Sequence, residues 1–394
     1  MFDRPIPRDE NDQLNWLRLI RSANLGPVSF WKLMEQFETA EAVLDALPSL
    51  SKCRKKEIAV AKPSSVAREV DELLSLGGTL IDYGHDDYPP LLRQLEDAPP
   101  VLMALGRTQL LKKRSIAIVG ARNASANGLM HARDFASALG QQGFLITSGL
   151  ARGIDAAAHE GALHSGTAAL VGGGIDVVYP RSNQLLYDKI REAGVIASEM
   201  PLGCQPQARH FPRRNRLVSG MSRGVLVIEA SLRSGSMITA RLAQEQGRET
   251  MAIPGNPVDP RSKGCNQLIK SGAALIESPD DILEQLHRPF ENQEPPGTKT
   301  VSSDKRNRSG TSGLNAEPKP TAETEIVNIP VCPGSLSDLL GAEPVAVDDL
   351  ARQSGIPLAE LNSRLMELEL EGTIERVPGN RVIKIVSGGK GGLF

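Results

Sequence analysis

The sequence predicts an α/β fold: a Rossmann-like, doubly wound, mostly parallel sheet, with a small helical domain before it and a winged helix after it. Three observations predict this. Between residues 115 and 276, apolar runs of strand length alternate with amphipathic segments of helix length, the pattern of a parallel sheet covered on both faces. Before residue 80, apolar residues recur at three- and four-residue spacing. After residue 345 the order is helix, turn, helix, hairpin.

The amino-terminal helices are read from Leu14, Leu17 and Ile20, then Phe30, Leu33 and Met34. Between them Asn24-Leu25-Gly26-Pro27 makes a turn with a proline near the next helix start. This pairing is similar to helix-hairpin-helix or sterile-alpha-motif units. The strands are expected at Ser115–Val119, Phe144–Thr147, Ala168–Val171, Val195–Ala197, Val225–Glu229 and Thr250–Ile253. Leu129–Leu139, Gln184–Ala193 and Ile238–Gln246 are the expected crossover helices. Residues 287–328 are rich in Pro, Gly, Ser, Thr and charge and bury too little to order themselves, so they read as a linker. In the last unit, Val347–Gln353 and Leu358–Leu370 are helical, and Pro378-Gly379-Asn380 turns a hairpin. The expected boundaries are therefore 1–80, 81–286 (core 115–276), 287–328 and 329–394.

Forty per cent hydrophobic and 23% charged residues over 394 positions exclude a wholly disordered chain. No apolar run is long enough to span a bilayer, and the polar, acidic start lacks the apolar core of a signal peptide. Cys53, Cys204, Cys265 and Cys332 form no CxxC pair, which argues against a disulfide framework or zinc ribbon. A cytoplasmic, reducing setting with no cofactor is expected. The formal charge of −2 gives no sign of a nucleic-acid binder, but it averages a central stretch (105–285) of +6 with flanks of −5 and −3.

In an open parallel sheet, ligands bind beyond the carboxyl ends of the strands. Those ends carry Gly120-Ala121-Arg122, then Ser148-Gly149-Leu150-Ala151-Arg152-Gly153, then Gly172-Gly173-Gly174, then Ser234-Gly235-Ser236. Glycines let amides approach an anion, and arginines offer bidentate phosphate contacts, so the rim is expected to recognise phosphate. Neither GxGxxG nor GxxxxGK[ST] occurs. The densest basic stretch, Arg209 to Arg216, places four arginines beside Phe211, a mixture suited to base stacking with backbone neutralisation. Catalytic alternatives are thin: Asp155 and His159 share a helical face without an HExxH, and no spacing pairs Asp176 with Glu199.

Taken in order, Ile118-Val119-Gly120-Ala121-Arg122, Ser148-Gly149-Leu150-Ala151-Arg152-Gly153-Ile154-Asp155, Gly172-Gly173-Gly174-Ile175-Asp176-Val177-Val178-Tyr179-Pro180, Phe211-Pro212-Arg213-Arg214-Asn215-Arg216 and Gly264-Cys265-Asn266-Gln267 resemble the DprA/Smf family of DNA-processing proteins. The resemblance is strongest over about residues 80–285. It implies a homodimer built through the Rossmann-like domain that binds and protects single-stranded DNA and loads the RecA recombinase during natural transformation, without catalysis. By position it implies that Arg122 grips phosphate and that Arg214, Asn215, Arg216 and Phe211 share its pocket, widened by Arg181 and Arg209. Gly149 and Gly173 are the expected backbone approaches. The competing reading is a nucleotide-processing enzyme that hydrolyses glycosidic bonds. The second winged-helix helix, Leu358–Leu370 with the following Glu371, carries Glu360, Glu367, Glu369 and Glu371 against Arg364 alone, so it is expected to meet protein rather than phosphate.

Overall fold

The computed structural model describes residues 4–52, 59–287, 345–354, 356, 358–370, 374–377 and 381–384. Beyond its first residue, the expected linker lies outside them, as do Cys53, Cys332, Glu371 and the turn at 378–380.

Four helices open the chain: α1 (Glu10–Arg21), α2 (Pro27–Phe37), α3 (Ala40–Lys52) and α4 (Pro63–Ser75). The Asp9 carboxylate caps α1 by accepting from the Asp12 amide at 2.8 Å, and Pro27 opens α2 with its φ already set. Their apolar faces converge on Trp16, Phe30 and Trp31, which meet edge to face with centroids 5.0–5.5 Å apart. The aromatic chain continues through Tyr83 to Tyr88, and the Trp31 indole donates to the Ala98 carbonyl at 2.7 Å. Helices and sheet therefore share one apolar core.

The main sheet contains β1 (Gly78–Asp82), β2 (Val101–Gly106), β3 (Ser115–Val119), β4 (Leu145–Ser148), β5 (Thr167–Leu170), β6 (Val195–Ser198), β7 (Gly224–Val227), β8 (Glu249–Ala252) and β9 (Ala274–Leu275). Its order is β1-β2-β6-β5-β4-β3-β7-β8-β9. From β6 to β9 every pair is parallel, while β1 and β2 extend the β6 edge antiparallel. This antiparallel edge is absent from the expectation. Val101 to Leu105 are all buried and form an apolar run like those of the parallel strands, but no crossover helix follows to mark the run as a strand.

Helices α5 (Ala126–Gln141), α6 (Ile154–Ala162), α7 (Gln184–Ala193), α8 (His210–Gly220), α9 (Gly235–Glu245), α10 (Lys263–Lys270) and α11 (Pro279–His287) complete the layer. Phe135 and Leu139 of α5, Ala158 of α6 and Ile282 of α11 cover Ile116, Ile118 and Ile146 on one face. On the other face, residues of α7 to α10 join Ala117, Val119 and the amino-terminal helices. Both faces are thus apolar, which is why the strands read as continuous runs.

The last unit pairs β10 (Val345–Ala346), β12 (Arg381–Lys384) and β11 (Ile374–Val377) in that order, with α12 (Val347–Ser354) and α13 (Leu358–Leu370) packed over them. Val347, Leu350, Leu361, Leu365, Ile374 and Val382 form its separate small core.

Candidate nucleic-acid interface

The order in which strands are added reverses at β3, which pairs in parallel with β4 on one side and β7 on the other. A crevice opens beyond the carboxyl ends at such a point. Arg122 leaves β3 exposed to solvent, and its guanidinium carbon lies 5.4 Å from the centroid of Phe211 at the start of α8. Tyr179, from the loop after β5, brings a half-exposed ring to 5.6 Å from Phe211 at a tilt of 38°. Arg122, Arg152, Tyr179, Ser182, Phe211 and Arg214 line a concave pocket of about 180 Å³. Two rings and two solvent-exposed cations in one crevice can stack bases and neutralise phosphates together.

Arg214 is the floor of this pocket and not its gripping hand. It is buried, its guanidinium carbon lies 6.0 Å from the Phe211 centroid, and it donates to the carbonyls of Gly149 and of Leu170 (2.6 Å). Burial pushes it down to about 10, with Arg122 adding to the fall and Asp155 opposing it, so it stays charged at neutral pH. Asn215 accepts from Arg214 Nε at 3.2 Å and donates to the Gly235 carbonyl at 3.4 Å, which ties α8 to α9. Arg209 and Arg213 are exposed around the same helix start, and Arg181 is exposed in the loop after β5.

Three expectations require correction. Arg216 does not face the rim: it is buried, held by Glu199, by the Asp97 carboxylate at 3.3 Å and by the Asp97 carbonyl at 2.8 Å. Burial would lower its pKa, but those two carboxylates outweigh it and hold the guanidinium above its usual value. Residue 216 sits on α8 facing the protein, a placement only the helical phase reveals. Gly149 lines the pocket, but its amide and carbonyl are already engaged by Asp155 and Arg214, and Gly173 is closely packed. A Cβ on Gly149 would collide with the Arg214 guanidinium, and one on Gly173 would lie 2.6 Å from the Cys204 carbonyl. Close packing explains both glycines.

Several amides at the rim are also already occupied. Asp155 accepts from the Gly149 amide at 3.1 Å and the Ala151 amide at 3.4 Å. Glu229 accepts from the Ser125 amide at 2.9 Å and from its hydroxyl, capping the α5 start from across the sheet. Asp176 accepts from the Gly203 amide at 2.9 Å. Where a phosphate cradle is expected, the fold has placed its own carboxylates. The exposed arginines and the two rings are the groups of this pocket suited to holding an external anion. Arg152, Tyr179 and Ser182 line this pocket and are not among the expected site residues. Their signal is their position in the loops that follow β4 and β5, where Arg152 and Tyr179 fall in segments that carry the resemblance.

His159 lies fully buried on α6 beneath the rim. The Thr167 hydroxyl donates to the Ile146 carbonyl at 2.7 Å, so His159 Nδ1 is the donor in its 2.7 Å contact with that hydroxyl. Its Nε2 has no hydrogen-bond partner. Burial, helped by Arg214, depresses its pKa to about 3. The unfolded chain takes up a proton near pH 6.5 that the folded chain refuses until about pH 3. Stability contributed by the neutral ring is therefore present above pH 6.5 and falls as the pH drops towards 3. Thermal melts from pH 7 to pH 5 should show a loss approaching about 1.4 kcal/mol per pH unit that His159→Gln flattens. An identical pH slope in the variant would assign the sensitivity elsewhere.

Among the described residues, no group of three or more His, Cys, Asp or Glu could hold a metal ion, and no helix is long and apolar enough to cross a membrane. Comparison with known proteins locates the whole arrangement. The family described as DNA recombination-mediator protein A matches residues 79–287, which contain the sheet and the pocket. The chain belongs to this family. Residues 10–71 match the DprA-like N-terminal HHH domain, and residues 318–380 match the DprA winged helix domain. Protein Smf of Synechocystis sp. is 31% identical over 94% of this chain and 98% of its own length. Protein Smf of Escherichia coli is 39% identical over 77% of this chain and 76% of its own. The X-ray structure of DNA processing protein A (DprA) from Streptococcus pneumoniae superposes with a TM-score of 0.60 at 32% identity, covering 69% of this chain and 97% of that one. The DprA resemblance in the motifs and the three-part layout are therefore borne out.

Proposed function

We propose that this DprA-family chain binds single-stranded DNA without regard to sequence, in the pocket bounded by Arg122, Phe211 and Tyr179. The observation that carries this reading is the pairing of the Phe211 and Tyr179 rings beside Arg122 at the point where the strand order reverses. Every base has a face to stack, so a ring platform is tolerant of sequence, and a duplex cannot offer its bases to one. Arg181, Arg209 and Arg152 widen the positive rim, while Arg214, tied to Asn215, lies beside Phe211 and Gly149 leaves room for the Arg214 guanidinium. The chain acts as a binder and not as an enzyme: Asp155, Asp176, Glu199 and Glu229 are each committed to a structural hydrogen bond or ion pair.

Family membership supports the finer reading. The protein protects strands that enter during natural transformation, loads RecA recombinase onto them, and works in the cytoplasm as a homodimer through the Rossmann-like domain. The binding reading is tested by anisotropy titration of single- and double-stranded oligonucleotides of equal length at several salt concentrations. The single strand is expected to bind more tightly, with log affinity falling by about 0.7 per contacted phosphate for each decade of salt. Equal affinity for duplex, or indifference to salt, would overturn it.

A further inference from the structure

The winged helix rests on the central domain beside the pocket. Its α13 packs against α8, and Glu369 of α13 pairs with Arg241 of α9 at 2.9 Å, both side chains about a quarter exposed. Glu375 of β11 lies 3.8 Å from Arg233, in the loop after β7, with both groups largely in water. Asn215 joins α8 to the first turn of α9, so Arg233, just before that turn, stands at the same carboxyl edge, and Arg241 lies further along α9 where α13 covers it. Arg233 belongs to the loop beyond the carboxyl end of β7, the strand next to β3.

Two features make this contact displaceable. Exposed and half-exposed ion pairs contribute only about 0–1 kcal/mol each, because water and salt screen them. The winged helix also has its own separate core, so it can leave without unfolding. A polyanion offers the two arginines the same charge-assisted contacts that the two glutamates give them.

We propose that Arg233 and Arg241 form a second phosphate-binding patch on the DNA rim, which the winged helix covers with Glu369 and Glu375. A single strand extending from the Arg122 pocket competes with α13 and β11 for those cations. The winged helix then acts as an internal stand-in for the DNA backbone, and strand binding and winged-helix docking oppose each other by the same free energy in both directions. This inference rests on the single-strand reading of the pocket.

The test uses the full chain carrying Glu369→Gln and Glu375→Gln, titrated with a poly-dT oligonucleotide long enough to leave the pocket. Uncovering the patch should tighten binding several-fold at moderate salt and steepen the log–log salt slope by about 1.4, two further phosphates at about 0.7 each. Adding Arg233→Ala and Arg241→Ala to that variant should remove both gains. Unchanged or weakened binding in the double-glutamine variant, with Arg122→Ala still crippling the wild-type background, would overturn the covered patch and leave the pocket standing. Indifference to Arg122→Ala as well would strike the pocket reading itself.

Discussion

Arg216→Ala is expected to cost about 3–5 kcal/mol of folding stability, the range seen when one partner of a buried ion pair is removed. The substitution leaves Asp97 and Glu199 facing each other across the space the guanidinium filled, both with little access to water. It also frees the Asp97 carbonyl. In a unit of this size the midpoint of thermal unfolding should drop by roughly 6–20 °C, at about 2–4 °C per kcal/mol. Below that midpoint, single-strand affinity should stay close to that of the unaltered chain, since the guanidinium does not reach the rim. A melt shifted by less than a degree or two, with strongly impaired binding, would return Arg216 to the DNA and reject its placement. Replacing Asp97 and Glu199 by Asn and Gln together with Arg216→Met should recover much of the loss, because the uncompensated charges are what make the single change costly.

Phe211→Ala should produce the largest binding defect. One base stacked on an aromatic ring is worth about 1–3 kcal/mol, so affinity should fall by roughly 5- to 150-fold. The loss should be nearly the same at low and high salt, since stacking releases no counterions. Arg122→Ala should differ in kind: its defect shrinks as salt rises, and the salt slope flattens by about 0.7. The two side chains touch, with the guanidinium over the ring, so the double variant should lose less than the sum of the singles. Parallel salt slopes for all three variants would mean that Arg122 does not meet a phosphate.

The parallel layer was legible because strands buried on both faces write continuous apolar runs, and the helices between them keep a 3.6-residue rhythm. Gln184–Ala193 and Leu358–Leu370 fall where the periodicity puts them. The β1–β2 edge escaped because Val101 to Leu105 pack on both sides with no helix following to announce a crossover. The basic stretch from 209 to 216 was visible as charge but not as helix. Composition cannot say that Phe211 and Arg213 face outward while Arg214 and Arg216 turn in; the phase of α8 decides that. The glycines misled for a related reason. A tight turn and a phosphate cradle ask for the same residue, and only Asp155, Glu229 and Asp176, seated on the amides, tell them apart.

Those three carboxylates have a consequence for selectivity in a mixture. A lone phosphate drawn to this rim finds the Gly149, Ala151 and Ser125 amides taken and meets like charge beside them, so a free mononucleotide is expected to gain a single stacking contact and one arginine. A polymer engages several cations and both rings at once, with each further contact made at high effective concentration. On the single-strand reading, the rim is therefore expected to work as a length filter. Millimolar nucleotides should fail to displace a bound oligonucleotide of ten or so residues, even though every chemical group in the strand is also present in the competitor.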